Sequence, residues 1–468
     1  MNFSRRDFIR SLGVGAGTFV ALNVSGCSGG SDSDSDSGAN PLWDTGDARN
    51  KIIIISDLHL GVDDNYTETL QNRPLLIKFL QSLQNTKDVR ELVIAGDFLD
   101  EWYLPVYYYP LYTDQDQFYR NVIANNQSVF DELNKVITSG IKLVYVPGNH
   151  DLTLRASVLQ AAIPGLFQAS SENSNGDPQG LGAYYTGDRN EIVIEHGHRY
   201  DVFSAPDTIS NEALCGNPGT TILPAGYFYA RYAATWVLEG QPSVPQSLPE
   251  ITDADFSAIQ TESNIADQSG AYTYHKILRS ISNRMTPYES RYFDAEVKIF
   301  QMRISGFNDD YSYKDFYPDI QTDGDGKRFI SAPKLFKNIQ TTWAARQTAN
   351  KVKVPENTFA SSVTGAVVAP AFPESYFTWA KANYLENPAE ANVEVVVFGH
   401  THVPARRDTD SGKCYLNSGT WIDHNANSTV GSRTFAVVTT GSSGKDVTAL
   451  YQFVDAGNVV DVTATVSS

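Results

Sequence analysis

Lys51-Ile52-Ile53-Ile54-Ile55-Ser56-Asp57-Leu58-His59 is the stretch on which the fold turns. Four consecutive isoleucines leave no polar position for a solvated face, so the run is predicted to be a strand buried on both sides. It ends in Asp57 and His59, and polar groups at the carboxyl ends of buried strands are where α/β sheets gather their sites. The pattern repeats. Glu91 to Ala95 ends in Gly96-Asp97, and Lys142 to Val146 ends in Pro147-Gly148-Asn149-His150-Asp151. Glu191 to Glu195 ends in His196-Gly197-His198, and Val393 to Phe398 ends in Gly399-His400-Thr401-His402. Six of the eight histidines fall in these clusters; His275 and His424 stand apart and read as structural or surface residues.

Helical periodicity separates the first three runs. Leu75, Leu76, Phe79, Leu80 and Leu83 share one face; so do Val129, Phe130, Leu133, Val136 and Ile137, with Gly140 placed as a C-terminal cap. Strand, helix, strand, helix, strand predicts an α/β domain. Past Gly399 the chain reads as β, at 413–416, 434–440 and 448–454, and these strands are expected to complete a second layer. Residues 204–392 interrupt the pattern with many aromatics, including Trp236, Trp343 and Trp379, and read as a mainly helical insertion or cap whose aromatics are mostly core. The catalytic domain is thus expected in two parts, 51–203 and 393–468. Asp319, Asp323 and Asp325 with Gly324 and Gly326 lack the acidic ligand that closes a calcium loop and read as a turn.

The N-terminus reads as targeting sequence rather than fold. Ser4-Arg5-Arg6-Asp7-Phe8-Ile9 resembles the twin-arginine export signal, and the apolar stretch from Leu12 to Val24 is too short for a stable span. Val24-Ser25-Gly26-Cys27 resembles the lipobox of bacterial lipoproteins, which implies cleavage within residues 1–27 and acylation of Cys27. Residues 28–50, with Ser and Asp alternating from Ser31 to Ser37, read as a solvated tether. The expected location is a lipid-anchored site in the cell envelope, with Ser28 resembling the outer-membrane default in a Gram-negative cell. Cys215 and Cys414 remain, either as a pair or as two buried thiols, and neither has zinc-ligand spacing. The net charge of −18 argues against nucleic-acid binding and favours a small phosphorylated substrate over a polyanion.

Neutral imidazole, carboxylate and amide oxygen are ligands for borderline-hard divalent ions. If the backbone stays extended after the strand, Asp57 and His59 point the same way and reach one ion; His400 and His402 repeat that spacing. In sequence order, Asp57-x-His59, Gly96-Asp97, Gly148-Asn149-His150-Asp151, His196-Gly197-His198 and Gly399-His400-x-His402 resemble the five motifs of the calcineurin-like metallophosphoesterases. The resemblance implies a four-layer αββα sandwich with a dinuclear centre of Mn, Fe or Zn. It assigns Asp57, His59 and His402 to one ion and Asn149, His196 and His400 to the other, with Asp97 bridging through both carboxylate oxygens. It implies a metal-bridging hydroxide as nucleophile on phosphorus, His150 as general acid and Asp151 as the carboxylate that orients His150. A neutral phosphate-binding or structural His150 stands as the alternative. His198 is assigned either to the phosphate or to a hydrogen bond behind the ligands, and Asn417-Ser418-Gly419-Thr420-Trp421 to support of the site.

Gly96-Asp97-Phe98-Leu99-Asp100-Glu101-Trp102 resembles a segment of the UDP-2,3-diacylglucosamine hydrolases. His150 stands where that group commonly carries Arg, and the export signal and long insertion also depart from it, so the resemblance does not extend to substrate. Tyr103 and Tyr107 to Tyr109 either stack on substrate or pack the loop. The competing function is a non-catalytic, metal-stabilised binding module on the same fold; filled ligand positions weigh against it. A single-zinc peptidase is disfavoured by the lack of a His-Glu-x-x-His pattern.

Overall fold

The computed structural model describes most of residues 48–206, separate segments of 223–354 and nearly all of 374–467. Residues 1–47 and the longer stretches 171–178, 207–222, 239–250, 264–297, 331–345 and 355–373 lie outside the described residues. The signal-like segment, Cys27, residues 28–47 of the expected tether, Cys215, His275 and Trp343 therefore fall outside them, whereas Arg49 and Asn50 at the end of that stretch are hydrogen-bonded to the domain. Among the described residues no helix is long and apolar enough to cross a membrane.

Two sheets face each other. The first has seven strands: β1 (Lys51–Ile55), β2 (Val89–Ala95), β3 (Lys142–Val146) and β4 (Phe167–Gln168) are parallel, and β14 (Thr434–Thr439), β15 (Val447–Phe453) and β16 (Val459–Asp461) complete the order β16-β15-β14-β1-β2-β3-β4. The second has five, in the order β12-β13-β11-β6-β5, where β6 (Ile192–Ile194), β11 (Val395–Phe398) and β13 (Cys414–Asn417) are parallel and β5 (Tyr184–Thr186) and β12 (Ala405–Asp408) are antiparallel edges. The isoleucine run shows why both faces are apolar. Ile52 and Ile54 meet Val93, Val144, Ile194, Val395 and Val397 between the sheets. Ile53 and Ile55 join the opposite core, under helices.

Those helices are α1 (Arg73–Gln84), α2 (Gln115–Asn125) and α3 (Gln127–Thr138), with α4 (Ala156–Ala162) after β3. α1 buries Leu76, Phe79, Leu80 and Leu83, and α3 buries Val129, Phe130, Leu133 and Val136, while Leu75 and Ile137 are partly buried. α3 stops where Gly140 takes φ +86°: its N–H donates to Ile137 O at 2.9 Å and the N–H of Ile141 to Val136 O at 3.4 Å. Such a Schellman turn requires a left-handed residue that glycine adopts without steric cost.

The last strands divide between the layers instead of completing one. β12 and β13 extend the second sheet, while β14 (Thr434–Thr439), β15 (Val447–Phe453) and β16 (Val459–Asp461) return to the first, β14 antiparallel to β1. Alternation along a strand reports which face is buried but not which neighbour it pairs with.

Within 204–392 the described residues form α5 (Ala225–Leu238), α6 (Asp253–Ser263) and two antiparallel pairs, β7 (Phe300–Met302) with β8 (Asp309–Tyr311) and β9 (Ile320–Thr322) with β10 (Arg328–Ile330). The Asp323–Gly326 segment is the turn between β9 and β10, and Asp323 Oδ1 accepts the N–H of Asp325 and Lys327, each at 2.9 Å. α7 (Glu374–Ala380) belongs with the sandwich. Its Trp379 stacks on Tyr200 at 5.4 Å, and Tyr200 stacks on Phe398 at 5.5 Å, in the outer core of the second sheet. Helices outside, sheets inside: the molecule is the four-layer αββα sandwich that was expected.

Candidate metal centre

β1, β2, β3, β6 and β11 deliver Asp57, Asp97, Asn149, His196 and His400 to one edge, where the two parallel sets end side by side. β1 and β2 stay paired beyond their ends. The N–H of Asp57 donates to Gly96 O at 3.0 Å, that of His59 to Asp97 O at 2.9 Å and that of Leu60 to Phe98 O at 3.1 Å. The backbone there is not extended. Asp57 (φ +55°), His59 (+46°), Asp97 (+50°), His400 (+68°) and His402 (+61°) are left-handed, and they make up five of the eight non-glycine residues with positive φ among those described. The side chains converge through tight left-handed turns, not through strand alternation. Each such residue stores roughly 1–3 kcal/mol of strain that the surrounding packing must overcome.

The first cluster is Asp57, His59, Asp97 and His402, whose ligand atoms lie within 4.8 Å of one another. His59 Nδ1 is 2.9 Å from Asp100 Oδ2. Burial opposes ionisation of Asp100, but the adjacent His150 and His59 hold it below the usual carboxylate range. An ionised carboxylate only accepts, so His59 Nδ1–H donates and Nε2 keeps its lone pair. That Nε2 lies 3.2 Å from His402 Nε2 and 3.5 Å from Asp97 Oδ2, and His402 Nε2 lies 2.6 Å from Asp57 Oδ1. Asp57 Oδ2 accepts Ser56 Oγ–H at 2.5 Å and the N–H of His400 at 3.0 Å, which leaves Oδ1 for the cluster.

Asp97, His196 and His400 form the second cluster. His196 Nδ1–H donates to Ala95 O at 2.8 Å, and its Nε2 faces Asp97 Oδ2 at 3.2 Å and Asn149 Oδ1 at 3.1 Å. His400 Nε2 lies 3.3 Å from Asp201 Oδ2. Asp97 links the clusters through one oxygen rather than two: Oδ1 accepts the His150 N–H at 2.9 Å, and only Oδ2 lies near both His59 and His196. Two glycines make this approach possible. A Cβ on Gly148 would fall on the backbone N and Oδ1 of Asp97, and one on Gly96 would strike the His196 ring.

The donor set fits divalent cations. Imidazole lone pairs and carboxylate oxygens crowd one buried volume, where they repel unless positive charge sits among them. Burial pushes the His196 imidazolium down, yet Asp97 and Asp57 outweigh it and bring the pKa to about 9. The same carboxylate field would hold a metal ion.

His150 is next to both clusters and belongs to neither ligand set. Its Nδ1 lies 3.1 Å from Asp100 Oδ1, its ring stacks on Trp102 at 4.5 Å, and the His59 ring meets it edge-on at 4.4 Å. The carboxylate expected to orient it, Asp151, is occupied elsewhere. Asp151 Oδ1 accepts the Gly148 N–H at 2.7 Å and Oδ2 the Phe98 N–H at 2.8 Å. Asp151 therefore fastens the third motif to the second, with burial and the Asp97 charge pushing it up to about 6. Asp100 is the carboxylate nearest both rings: its Oδ2 lies 2.9 Å from His59 Nδ1, and its Oδ1, which accepts the N–H of Trp102 and of Tyr103, lies 3.1 Å from His150 Nδ1. The signal for it was within reach, since Asp100 lies three residues past Asp97 in the quoted segment.

His198 is buried beside His196 and His400, with ring centroids at 5.3 and 6.4 Å. Its Nε2–H donates to Gly180 O at 2.7 Å, and burial and the neighbouring histidines push its pKa well below the usual value. Asn417 to Trp421 brace the first cluster. Ser418 Oγ meets Ser56 Oγ at 2.7 Å, Thr420 Oγ1–H donates to Asp57 O at 2.9 Å, and Asn417 Nδ2–H to Gly399 O at 2.6 Å. Tyr103 is buried in the loop core, Tyr108 is half-buried, and Tyr107 and Tyr109 lie outside the described residues. Cys414 is a buried thiol, raised by burial to about 11, and His424 is exposed.

Residues 50–222 match the family model of the calcineurin-like phosphoesterases. The matched residues stop before β11, and the contribution of His400 and His402 rests on the geometry above. No curated protein matches the chain in sequence. Among solved structures it is similar to a dimetal phosphatase from Danio rerio (12% identity, covering 86% of this chain and 99% of that one, TM-score 0.29). It is also similar to a phosphopantetheinyl hydrolase from Mycobacterium tuberculosis (12% identity, covering 80% and 91%, TM-score 0.25). Likenesses at these scores add no weight to the assignment.

Proposed function

We propose that this protein is a dinuclear metallophosphoesterase that hydrolyses phosphomono- or diesters of small molecules, with His150 as general acid. The observation that carries the reading is Asp97 Oδ2, 3.5 Å from His59 Nε2 and 3.2 Å from His196 Nε2, a single anionic oxygen shared by two donor clusters. Two divalent ions held there by Asp57, His59 and His402 and by Asn149, His196 and His400, with Mn, Fe and Zn suited to these ligands, would acidify a water and neutralise phosphoryl charge. The protein's own groups do the remaining work. Asp100 orients His150, His150 supplies a proton to the leaving oxygen, and the left-handed turns keep the ligands preorganised. The test strips the metal, restores Mn, Fe, Zn, Co, Mg or Ca singly, and assays chromogenic mono- and diesters. Folded, metal-loaded protein inactive on both esters with every ion would overturn the proposal.

We further propose export and anchoring to a bilayer through acylated Cys27, on the strength of the N-terminal motifs alone. Radiolabelled palmitate should enter the wild type and not Cys27→Ala; label in neither would remove the anchor.

A further inference from the structure

Helix α5 belongs to the insertion, yet its buried polar groups are turned to the loop that follows Asp100. Arg231 Nε–H donates to Leu104 O at 3.2 Å, its Nη2 to Pro105 O at 2.7 Å and Tyr108 O at 3.2 Å, and its Nη1 to Tyr227 Oη at 2.6 Å. Four residues on, Thr235 Oγ1 accepts the N–H of Val106 at 2.8 Å. Tyr227, Arg231 and Thr235 are all buried. A guanidinium taken out of water needs its donor fork filled, and here carbonyls of a single loop help fill it. The loop cannot shift without breaking them together.

From that anchorage a line of rings runs to the site. Tyr227 meets Trp102 edge-on, with centroids 6.1 Å apart and planes at 83°. Trp102 lays its face on His150 at 4.5 Å and 26°. The Trp102 backbone N–H donates to Asp100 Oδ1 at 2.7 Å, and the same oxygen lies 3.1 Å from His150 Nδ1. The indole N–H is buried with no acceptor among the described residues. Its placement therefore follows from ring contacts and not from a hydrogen bond.

We propose that α5 is a positioning element for His150: it fixes the 102–108 loop, and Tyr227 and Trp102 together hold the imidazole in the orientation set by Asp100. Trp102 and Tyr227 are positioning residues, and the insertion thereby governs how well the enzyme expels a poor leaving group. This rests on the reading of His150 as the acid.

The experiment compares an alkyl phosphate with a nitrophenyl phosphate, whose leaving group needs little protonation, using wild type, Trp102→Leu, Trp102→Phe, Tyr227→Leu and His150→Asn. Trp102→Leu and Tyr227→Leu should lower kcat on the alkyl ester about tenfold more than on the nitrophenyl ester, part of the range a general acid supplies. KM and metal content should hold, and Trp102→Phe should recover most of the loss. In protein labelled at histidine Cε1, the His150 resonance, assigned by its absence in His150→Asn, should move in Tyr227→Leu although Tyr227 does not stack on His150. Equal losses on both esters, or a His150 resonance unmoved by Tyr227→Leu, would overturn the proposal. Should His150→Asn treat the two esters alike, the acid reading falls, and the resonance alone decides whether α5 positions the ring.

Discussion

Around the first donor cluster the supporting groups are sealed: the side chains of Asp57, His59 and Asp100 are fully inaccessible, and Asp57 is tied to Thr420 and to Ser56, whose hydroxyl meets that of Ser418. Around the second, the His400 side chain is 9% exposed and leans on Asp201, which is 26% exposed. Their backing differs too. Glu101, near Asp100 and Asp151, has a carboxyl that burial raises to about 8 despite the Thr153 hydroxyl it accepts at 2.7 Å. Glu195, next to His196, is ion-paired to Arg199 at 2.6 Å and hydrogen-bonded by Tyr200. A sealed carboxylate network holds geometry against water, whereas a partly exposed one lets water compete for the ligand. The second ion should therefore leave first when a chelator is added, as read by metal content over time.

The largest effect should come from removing what the halves share. Asp97→Ala should reduce bound metal from two ions to fewer than one per chain and activity by roughly 10³-fold or more, beyond the 10–100-fold typical of an outer partner. Retention of one full ion would mean that a half stands without it. Next come the outer carboxylates. Asp100→Asn should weaken the first ion by roughly 10–100-fold, and Asp201→Asn the second by about tenfold, measured by competition with a fluorescent chelator. Equal losses would erase the distinction drawn from burial. Glycine substitutions should sharpen it in space. Gly399→Ala drives a methyl into Ser56 and Asp57 and should disturb the first ion, while Gly96→Ala strikes His196 and should disturb the second, resolved by X-ray absorption of singly loaded protein.

The smallest effect is electrostatic. A carboxyl raised in the folded state contributes stability that is fully present below its ordinary value, 4.5, and is lost as pH rises through about 8. The Tm of wild type should therefore fall relative to Glu101→Gln across that window and run parallel to it above. A constant gap from pH 4 to 9 would mean that Glu101 ionises normally.

Much of the centre was legible because its ligands are chemically conspicuous and each follows an apolar run that can only be a buried strand. Asp57, Asp97, Asn149, His196 and His400 needed only the rule that such strands end at one edge. What failed to show is what depends on turn geometry and pairing. Asp151, next to His150 in the chain, was the expected partner, whereas the carboxylate oxygen 3.1 Å from His150 Nδ1 belongs to Asp100. Strands β13, β14 and β15 could be read but not allotted, since alternation is the same in either sheet, and the short edges β12 and β16 were not read at all. The Arg231 contacts span up to 127 residues, and no local pattern announces them.

One consequence concerns time. His59 and His402 touch across 343 residues of chain, and His400 reaches back to Asp57 across the same span. At roughly 5–20 residues per second of synthesis, the ribosome needs about twenty seconds to a minute between making the first ligand and the last. On the proposed assignment neither ion would have its full set until β11 had emerged and docked. Metal capture would then be a closing event in the protein's birth, and a chain truncated before Gly399 would be unable to complete either half.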